Sequence, residues 1–520
     1  MFSEGCSRRY FLRVLGTGLC SLAPASSILA QQMAPPKKRP NVLMIVADDM
    51  NWDTPGCYGG AAPDITPNID RLATEGIRFC HAYVNVSICT PSRSVILTGL
   101  YPSNNGTEGF QRIRPGTETL PAALNKAGYL CGIIGKPLRQ QELFRWSVTY
   151  RWQGTGDENL WGRDPGVYRR FAKDFFAMAK TSKQPFFLMA NSHDPHRPFA
   201  GGKATRQHEE RAPASHTFRA EEVRVPGFLP DLPAVRQELA AYCTSVRRLD
   251  DMVGGILDEL AKAQLAEDTI VIFFSDNGMP FPGAKFNCYP DSVRTPLIIR
   301  WSGRVEKNSI DREHMVAAVD LQPTILDAVG LPATRSDGRS FLPLLSGQTQ
   351  PNRDHVFAQF YHIHGDDALP MRSVLTKESA YIFNPWSNGE RRFERLGEIT
   401  FQSMQQAAKT DAEMAVRIRH LEFRTVEEFY DLHADPSCIV NLLGAGRGEK
   451  GLADADKKKL DGLRAKLREW MVQVGDSALH AFDNRQQPET LERFMQDYRA
   501  RAAEEVEALK PYEKRMNYRF

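Results

Sequence analysis

The run Cys89-Thr90-Pro91-Ser92-Arg93-Ser94-Val95-Ile96-Leu97-Thr98-Gly99 joins a reactive sulfur, a helix start and a cation. Pro91 and Ser92 suit the opening of a helix and Gly99 its end. Cys89 is therefore expected at the helix mouth, where unpaired N–H groups and the dipole favour anions, with Arg93 one turn along. Most free cysteines are small buried hydrophobes, so the weight of this run depends on what else reaches the same place. Two oxygen-bearing pairs close apolar runs: Asp48-Asp49 after Asn41 to Ala47, and Asp276-Asn277 after Thr269 to Phe274 and Ser275. Either pair alone reads equally well as a cap or a solvated turn. Together with the Cys89 loop they form the oxygen-rich set that a hard divalent cation needs, calcium above all. Two further apolar runs end in Gly135-Lys136 and in His193-Asp194-Pro195-His196-Arg197.

The Cys89 run resembles the signature of type I, formylglycine-dependent sulfatases, Cys-x-Pro-Ser-Arg followed by Leu-Thr-Gly, at every fixed position. The likeness spans roughly Asn41 to Leu442, since Leu321-Gln322-Pro323-Thr324-Ile325-Leu326 and Tyr430-Asp431-Leu432 through Asp435-Pro436 to Asn441-Leu442 are also similar to that family. The resemblance implies that a maturation enzyme oxidises Cys89 to 3-oxoalanine (formylglycine). It also implies that Asp48, Asp49, Asp276 and Asn277 hold Ca2+ together with an oxygen of the modified Cys89. Sulfate transfer needs cations on the non-bridging oxygens and a nucleophile in line. Arg93, Lys136 and Lys285 fit the first task, Lys285 because it follows Asp276-Asn277-Gly278 as the family's second lysine does. The hydrated aldehyde would attack sulfur, expel the substrate oxygen or nitrogen and then release sulfate. His196 matches the family's leaving-group acid, while His193, Arg197 and Arg372 are expected at the substrate.

Within the family, the His193 to Arg197 run, Ser275 to Pro282 and Pro370-Met371-Arg372-Ser373-Val374 look most like N-sulfoglucosamine sulfohydrolases (heparan N-sulfatases), which points to a sulfated carbohydrate. That subgroup carries arginine where this chain has Lys285, so O-sulfate and N-sulfate both stay open. A second departure follows Lys136. The family usually continues Gly-Lys-x-His, whereas this chain reads Gly135-Lys136-Pro137-Leu138-Arg139, and Arg139, His362 or His364 would have to replace the missing imidazole.

The elements that must position these groups alternate. Apolar runs at Asn41 to Ala47, Tyr129 to Ile134, Pro185 to Ala190, Thr269 to Phe274 and Pro296 to Trp301 read as buried strands. Between them lie helical stretches: one opened by Thr66-Pro67, the Cys89 helix, Leu120 to Ala127, Val167 to Ala179 and Val235 to Leu260. Such alternation predicts a doubly wound α/β sheet with ligands at the carboxyl ends of its strands. The resemblance makes that an alkaline-phosphatase-like mixed sheet flanked by helices. Residues 41–347 are expected to form the catalytic domain and 348–480 a smaller α+β C-terminal subdomain. That region offers a strand candidate at Tyr381-Ile382-Phe383, a polar helical stretch around Phe401 to Arg417 and the run Phe429-Tyr430-Asp431-Leu432. Residues 481–520 form a charged helical tail, read as solvated.

At 520 residues the chain is long enough for a large domain with a smaller one attached. A net charge of +3 without a basic stripe argues against nucleic acid. Ser7-Arg8-Arg9-Tyr10-Phe11-Leu12, followed by a short interrupted apolar stretch to Ala30, resembles a twin-arginine signal read by that translocon. Residues 1–30 are thus expected to be a leader, 31–40 a linker, and the product an exported bacterial protein of the periplasm or exterior with no stable membrane span. Nine cysteines without a Cys-x-x-Cys pair support neither a zinc ribbon nor a thioredoxin motif. Two rival functions stay open: a phosphonate or phosphodiester hydrolase of the alkaline phosphatase superfamily, and a sulfated-glycan-binding pseudo-enzyme, the latter motivated by Leu138.

Overall fold

The computed structural model describes residues 39–136, 143–150, 162–200, 212–362, 368–393, 399–444 and 448–516. The leader, most of the linker, and Leu138, Arg139 and His364 lie outside them. In chain order the first strands are β1 (Asn41–Ala47), β2 (Ile77–Phe79), β3 (Ala82–Tyr83), β4 (Leu130–Gly135), β5 (Val148–Tyr150) and β6 (Phe186–Asn191). They are followed by β7 (Thr269–Ser275), β8 (Leu297–Arg300), β9 (Ser309–Asp311) and β10 (Val316–Ala317). The main sheet runs β5-β4-β6-β1-β7-β8-β2-β9, and β3 pairs separately with β10. β1, β4, β5, β6 and β7 are parallel, whereas β8 runs against both β7 and β2, so the sheet is mixed.

The unbroken apolar runs become the central strands because both faces are covered: all seven residues of β1 and of β7 are buried. Leu43, Ile45 and Ala47 share a core with Phe171 and Phe175 of the Pro165–Ser182 helix and with Leu239, Val246 and Leu249 of the Pro233–Lys262 helix. Asp164 caps the first of these by accepting from the Gly166 and Val167 N–H groups, with Pro165 at the first position. Its buried face comprises Val167, Tyr168, Phe171, Ala172, Phe175, Phe176 and Ala179, while Met178 is 42% exposed. A second helical layer covers the opposite face. A Cβ on Gly132 would point into Phe175, while the thiol of its neighbour Cys131 reaches the Pro121 carbonyl at 3.5 Å. Successive strand residues face opposite ways, so the Leu120–Lys126 helix lies across the sheet from the Pro165–Ser182 helix.

Register aligns the carboxyl ends of four strands. Ala47 pairs with Ser275, Val46 with Asn191, and Asn191 with Gly135. The next residues of each strand therefore leave the sheet along one rim.

In the C-terminal region β11 (His355–Phe360), β12 (Met371–Thr376), β13 (Ser379–Phe383) and β14 (Glu427–Asp431) form an antiparallel sheet in that order. Helices cover it: Trp470 stacks on Phe357 at 5.0 Å and Phe482 meets Phe383 at 5.2 Å. The charged final helix, Pro488–Met516, is not solvated all round. Leu491, Met495, Tyr498 and Ala502, spaced four, three and four residues apart, are buried. A buried ion pair joins β12 to the turn after the Asp454–Val474 helix. Arg372 donates through Nε and Nη2 to the two oxygens of Asp476, through Nη1 to the Phe360 and Met371 carbonyls, and stacks over Tyr361. Removing one partner of such a pair strands the other charge, at about 3–5 kcal/mol. Asp476→Ala is expected to lose that much stability in denaturant unfolding, and a midpoint within experimental scatter of the parent's would contradict it.

Candidate active site

Four strand ends converge here. β1 delivers Asp48 and Asp49, β7 delivers Asp276 and Asn277, β4 delivers Lys136, and β6 leads into the His193–Arg197 turn. The turn is joined to β1 by two backbone bonds, Ser192 N–H to the Val46 carbonyl at 3.0 Å and Asp48 N–H to the Asp194 carbonyl at 3.1 Å. Gly135 has φ +87, and a Cβ there would come within 1.9 Å of the Asn191 carbonyl oxygen. Only glycine lets β4 run that close to β6 and present Lys136 to the rim.

Asp48, Asp49, Asp276 and Asn277 are each 0% exposed. Their partners balance the charge. Lys136 Nζ pairs with Asp48 Oδ2, and Lys285 Nζ with both Asp49 oxygens at 2.7 and 2.8 Å. Arg93 Nε and Nη2 reach Asp276 Oδ2 at 2.9 and 2.7 Å. Asn277 donates through Nδ2 to Asp49 Oδ1 at 2.7 Å, and the Asp49 N–H donates to Asp276 Oδ1 at 3.1 Å. The three acids, the amide and the three cations thus form one connected cluster. Cys89 opens the Cys89–Thr98 helix two residues earlier than the Pro91-Ser92 start suggests, is 6% exposed, and acts electrostatically on Arg93, Lys136 and Lys285.

The titration shifts follow from this crowding. Burial would raise the Asp48 carboxyl, but Lys136, His196, Arg93 and Lys285 outweigh it and hold it well below the usual range. Asp276 moves up, through burial first and the Asp48 charge next, against the pull of Arg93. Burial works against a charged Lys285, yet Asp49 and Cys89 hold it above the usual lysine range. His196 is pushed down to about 4, by burial and then by Lys285, and is neutral at pH 7. Its Nδ1 lies 2.6 Å from the Arg197 carbonyl, which only an N–H can satisfy. Nε2, 3.8 Å from Asp49 Oδ2, is therefore the nitrogen that can exchange a proton with a ligand.

Several atoms are left for ligands. Asp48 Oδ1 and Asn277 Oδ1 are buried without a hydrogen-bond partner, as is Arg93 Nη1. Buried oxygens without donors are costly unless something electropositive meets them. Ligand atoms of Asp48, Asp49 and His196 also lie within 4.8 Å of one another. Free oxygens, clustered carboxylates and an Asp276 charge opposed first by burial and then by Asp48 fit a hard cation, and the free Arg93 N–H beside them fits an anion.

Not every expected residue joins the cluster. Arg372 is corrected from substrate contact to the buried pair with Asp476, because all three of its nitrogens are engaged there. Arg197 is held against the protein. It donates to the Pro280 carbonyl and to Glu238, and lies over Phe199 and Phe281 at 4.5 and 5.2 Å. His193 is buried beside Gly162, whose carbonyl accepts its N–H, and its imidazole is pushed well below the usual range by burial and Lys136. His362, a possible substitute base, instead meets Tyr498 and Gln111. The sequence reading missed the support under the His193–Arg197 turn. Asp194 takes Arg248 through both oxygens at 2.7 and 3.0 Å and also meets Arg163. Arg248 lies mid-helix, with no local motif to mark it.

The Sulfatase family profile matches residues 40–331, and that of the C-terminal part of N-sulphoglucosamine sulphohydrolase matches residues 284–384. Human N-sulphoglucosamine sulphohydrolase is 30% identical over 496 residues, covering 87% of this chain and 94% of that protein. A solved structure of a protein in complex with its substrate D-glucosamine-2-N,6-O-disulfate superposes with a TM-score of 0.61 at 22% identity, covering 84% of this chain and 99% of that one. Phosphonate monoester hydrolase of Agrobacterium radiobacter superposes with a TM-score of 0.59 at 17% identity, covering 82% and 96%. At those identities the two structures bear on the fold alone.

If the free oxygens bind calcium, adding it to chelator-treated protein at a hundred times Kd stabilises the fold by about 2.7 kcal/mol. The rise in thermal midpoint is expected to vanish in Asn277→Ala. An equal rise in parent and variant would place the ion elsewhere.

Proposed function

The chain belongs to the sulfatase family, and on that premise we propose that it removes sulfate from a sulfated carbohydrate, using calcium and a formylglycine made from Cys89. The observation that carries this reading is the single cluster in which Arg93, Lys136 and Lys285 pair with Asp276, Asp48 and Asp49 beside Asn277, with Cys89 close enough that a charge on it acts on all three cations. Asp48, Asp49, Asp276 and Asn277 would hold the calcium, which would supply Lewis-acid polarisation beside residue 89, whose aldehyde, once formed and hydrated, would be the nucleophile.

The other groups of the chain do the rest. Arg93 Nη1, Lys136 and Lys285 offer charge to the non-bridging sulfate oxygens in a largely buried site, where such charge is worth more than in water. The Asp partners hold the lysines in place before substrate arrives. His196 is neutral in the free protein, with Nε2 open. An anionic substrate beside it favours proton uptake at Nε2, and that proton can then pass to the departing sugar oxygen or nitrogen. Leu138 stands where the family carries an imidazole, so release of sulfate is the step expected to be slow.

A glucosamine-containing substrate is supported by the human relative's name and by the C-terminal likeness to it. Lys285 keeps O-sulfate and N-sulfate both within the reading. The Arg8-Arg9 leader supports export to the bacterial periplasm or exterior, and among the described residues no helix is long and apolar enough to cross a membrane.

Turnover of an aryl sulfate, a phosphodiester and a sulfated oligosaccharide, measured in parallel on protein produced with a formylglycine-generating enzyme, tests the proposal. Sulfate release is expected to dominate, and faster phosphodiester cleavage would transfer the site to the rival reading. Cys89→Ala is expected to abolish turnover and leave the far-UV spectrum unchanged, because Cys89 sits at a helix mouth. Activity retained in that variant would remove the nucleophile from the account. A burst of leaving group before slow steady turnover is expected in the parent, and linear release from the first turnover would show that sulfate release is not limiting.

A further inference from the structure

The catalytic lysine of the Asp276 loop is anchored from the C-terminal sheet. Arg424 and Glu428 form a buried pair in which Nε meets Oε1 at 2.6 Å and Nη2 meets Oε2 at 3.0 Å. This uses one edge of the guanidinium. The remaining terminal nitrogen, Nη1, reaches across to Asn287 Oδ1 at 2.6 Å. Burial opposes the charge on both partners, yet each holds the other charged: Arg424 is driven above its usual range and Glu428 below its own. Tyr289, Tyr430 and Asn384 donate to the Glu428 oxygens, His420 lies 3.8 Å from Oε2, and Arg424 stacks over the Tyr289 ring at 4.3 Å.

Asn287 passes this anchorage on in two directions. Its Nδ2 donates to the Ala284 and Lys285 carbonyls, both at 3.3 Å, which closes the turn that presents Lys285. Its own carbonyl accepts the Ser87 hydroxyl at 2.5 Å, and the Ser87 carbonyl accepts the Phe286 N–H at 3.1 Å. Ser87 lies two residues before Cys89. The segment leading to the nucleophile is therefore tied to the main chain of this turn, and the Asn287 side chain ties the turn in its own direction to Arg424. Phe286 and Arg424 hold φ of +70 and +55, left-handed values that large side chains adopt only where their surroundings enforce them. Asn287, Ser87, Lys285, Arg424 and Glu428 are all buried, so water does not replace a lost bond.

We infer that Asn287 is a positioning residue, which transmits the Arg424–Glu428 pair to Lys285 and to the Ser87–Cys89 segment, so that the C-terminal sheet sets the geometry of the catalytic cluster. The inference deepens the sulfatase reading and rests on it. It differs from a packing role in predicting that Asn287 acts through Lys285.

The test is a double-mutant cycle on matured full-length enzyme. Asn287→Ala is expected to lower kcat on an aryl sulfate about 10- to 100-fold, the range for partners that orient an active-site group, with KM little changed. In a Lys285→Ala background the same substitution is expected to have little further effect. Tyr430→Phe removes a bond to Glu428 without touching Asn287, and is expected to keep parental kcat at whatever stability it loses. A second readout does not depend on turnover. Brief acetylation followed by peptide mass analysis is expected to label Lys285 in Asn287→Ala and to spare it in the parent and in Tyr430→Phe. Additive effects in the cycle, or Lys285 equally protected in Asn287→Ala, would overturn the inference. A parent that releases no sulfate while its labelling pattern follows expectation would overturn the functional reading and leave the anchorage standing.

Discussion

Three carboxylates and three cations, all buried but the partly exposed Lys136, are held together at one rim of the mixed sheet, and the rest of the molecule is built to permit this. Each such charge costs several kcal/mol to remove from water and is tolerated only when paired and hydrogen-bonded. The pairing Lys136–Asp48, Lys285–Asp49 and Arg93–Asp276 nearly meets that demand. It leaves Asp48 Oδ1, Asn277 Oδ1 and Arg93 Nη1 unmet, and an Asp276 charge opposed by burial and then by Asp48. Those residual imbalances are where a cation and an anion belong. The cluster is thus incomplete as a structural element and suited to binding.

Holding the pairs in place is the work of distant parts of the chain. The register of four strands sets the height of the rim, and the approach of β4 to β6 at Gly135 sets the reach of Lys136. Arg248, from the middle of a 30-residue helix, grips Asp194 and with it the turn that carries His196. Arg424 reaches Asn287 from the C-terminal region across 137 residues of sequence. Two layers of the molecule therefore meet at the segment leading to Cys89, one through the sheet and one through the Lys285 turn.

Much of this was legible in the sequence because local patterns carry local geometry. Asp48-Asp49 and Asp276-Asn277 could be placed at strand ends because unbroken apolar runs precede them, and the Cys89 helix mouth because Pro91 and Gly99 bracket it. The arginines were harder. Arg197 and Arg372 sit in family-like motifs, but a motif does not say where a guanidinium is satisfied. Arg372 meets Asp476 and Arg197 meets Glu238, partners 104 and 41 residues away. The final helix was read as solvated because charge dominates its composition, although Met495, Tyr498 and Ala502 lie on a narrow buried stripe. Contacts of that kind depend on tertiary pairing that periodicity within one segment does not encode.

The account turns on residue 89 acting as an oxidised nucleophile inside this cluster. The most direct test is the mass of the proteolytic peptide spanning Cys89, taken from protein produced with a formylglycine-generating enzyme and matched against its sulfatase activity. The account predicts 3-oxoalanine at position 89, with specific activity rising in proportion to the converted fraction. Full activity in preparations where the peptide retains an unmodified cysteine would contradict it.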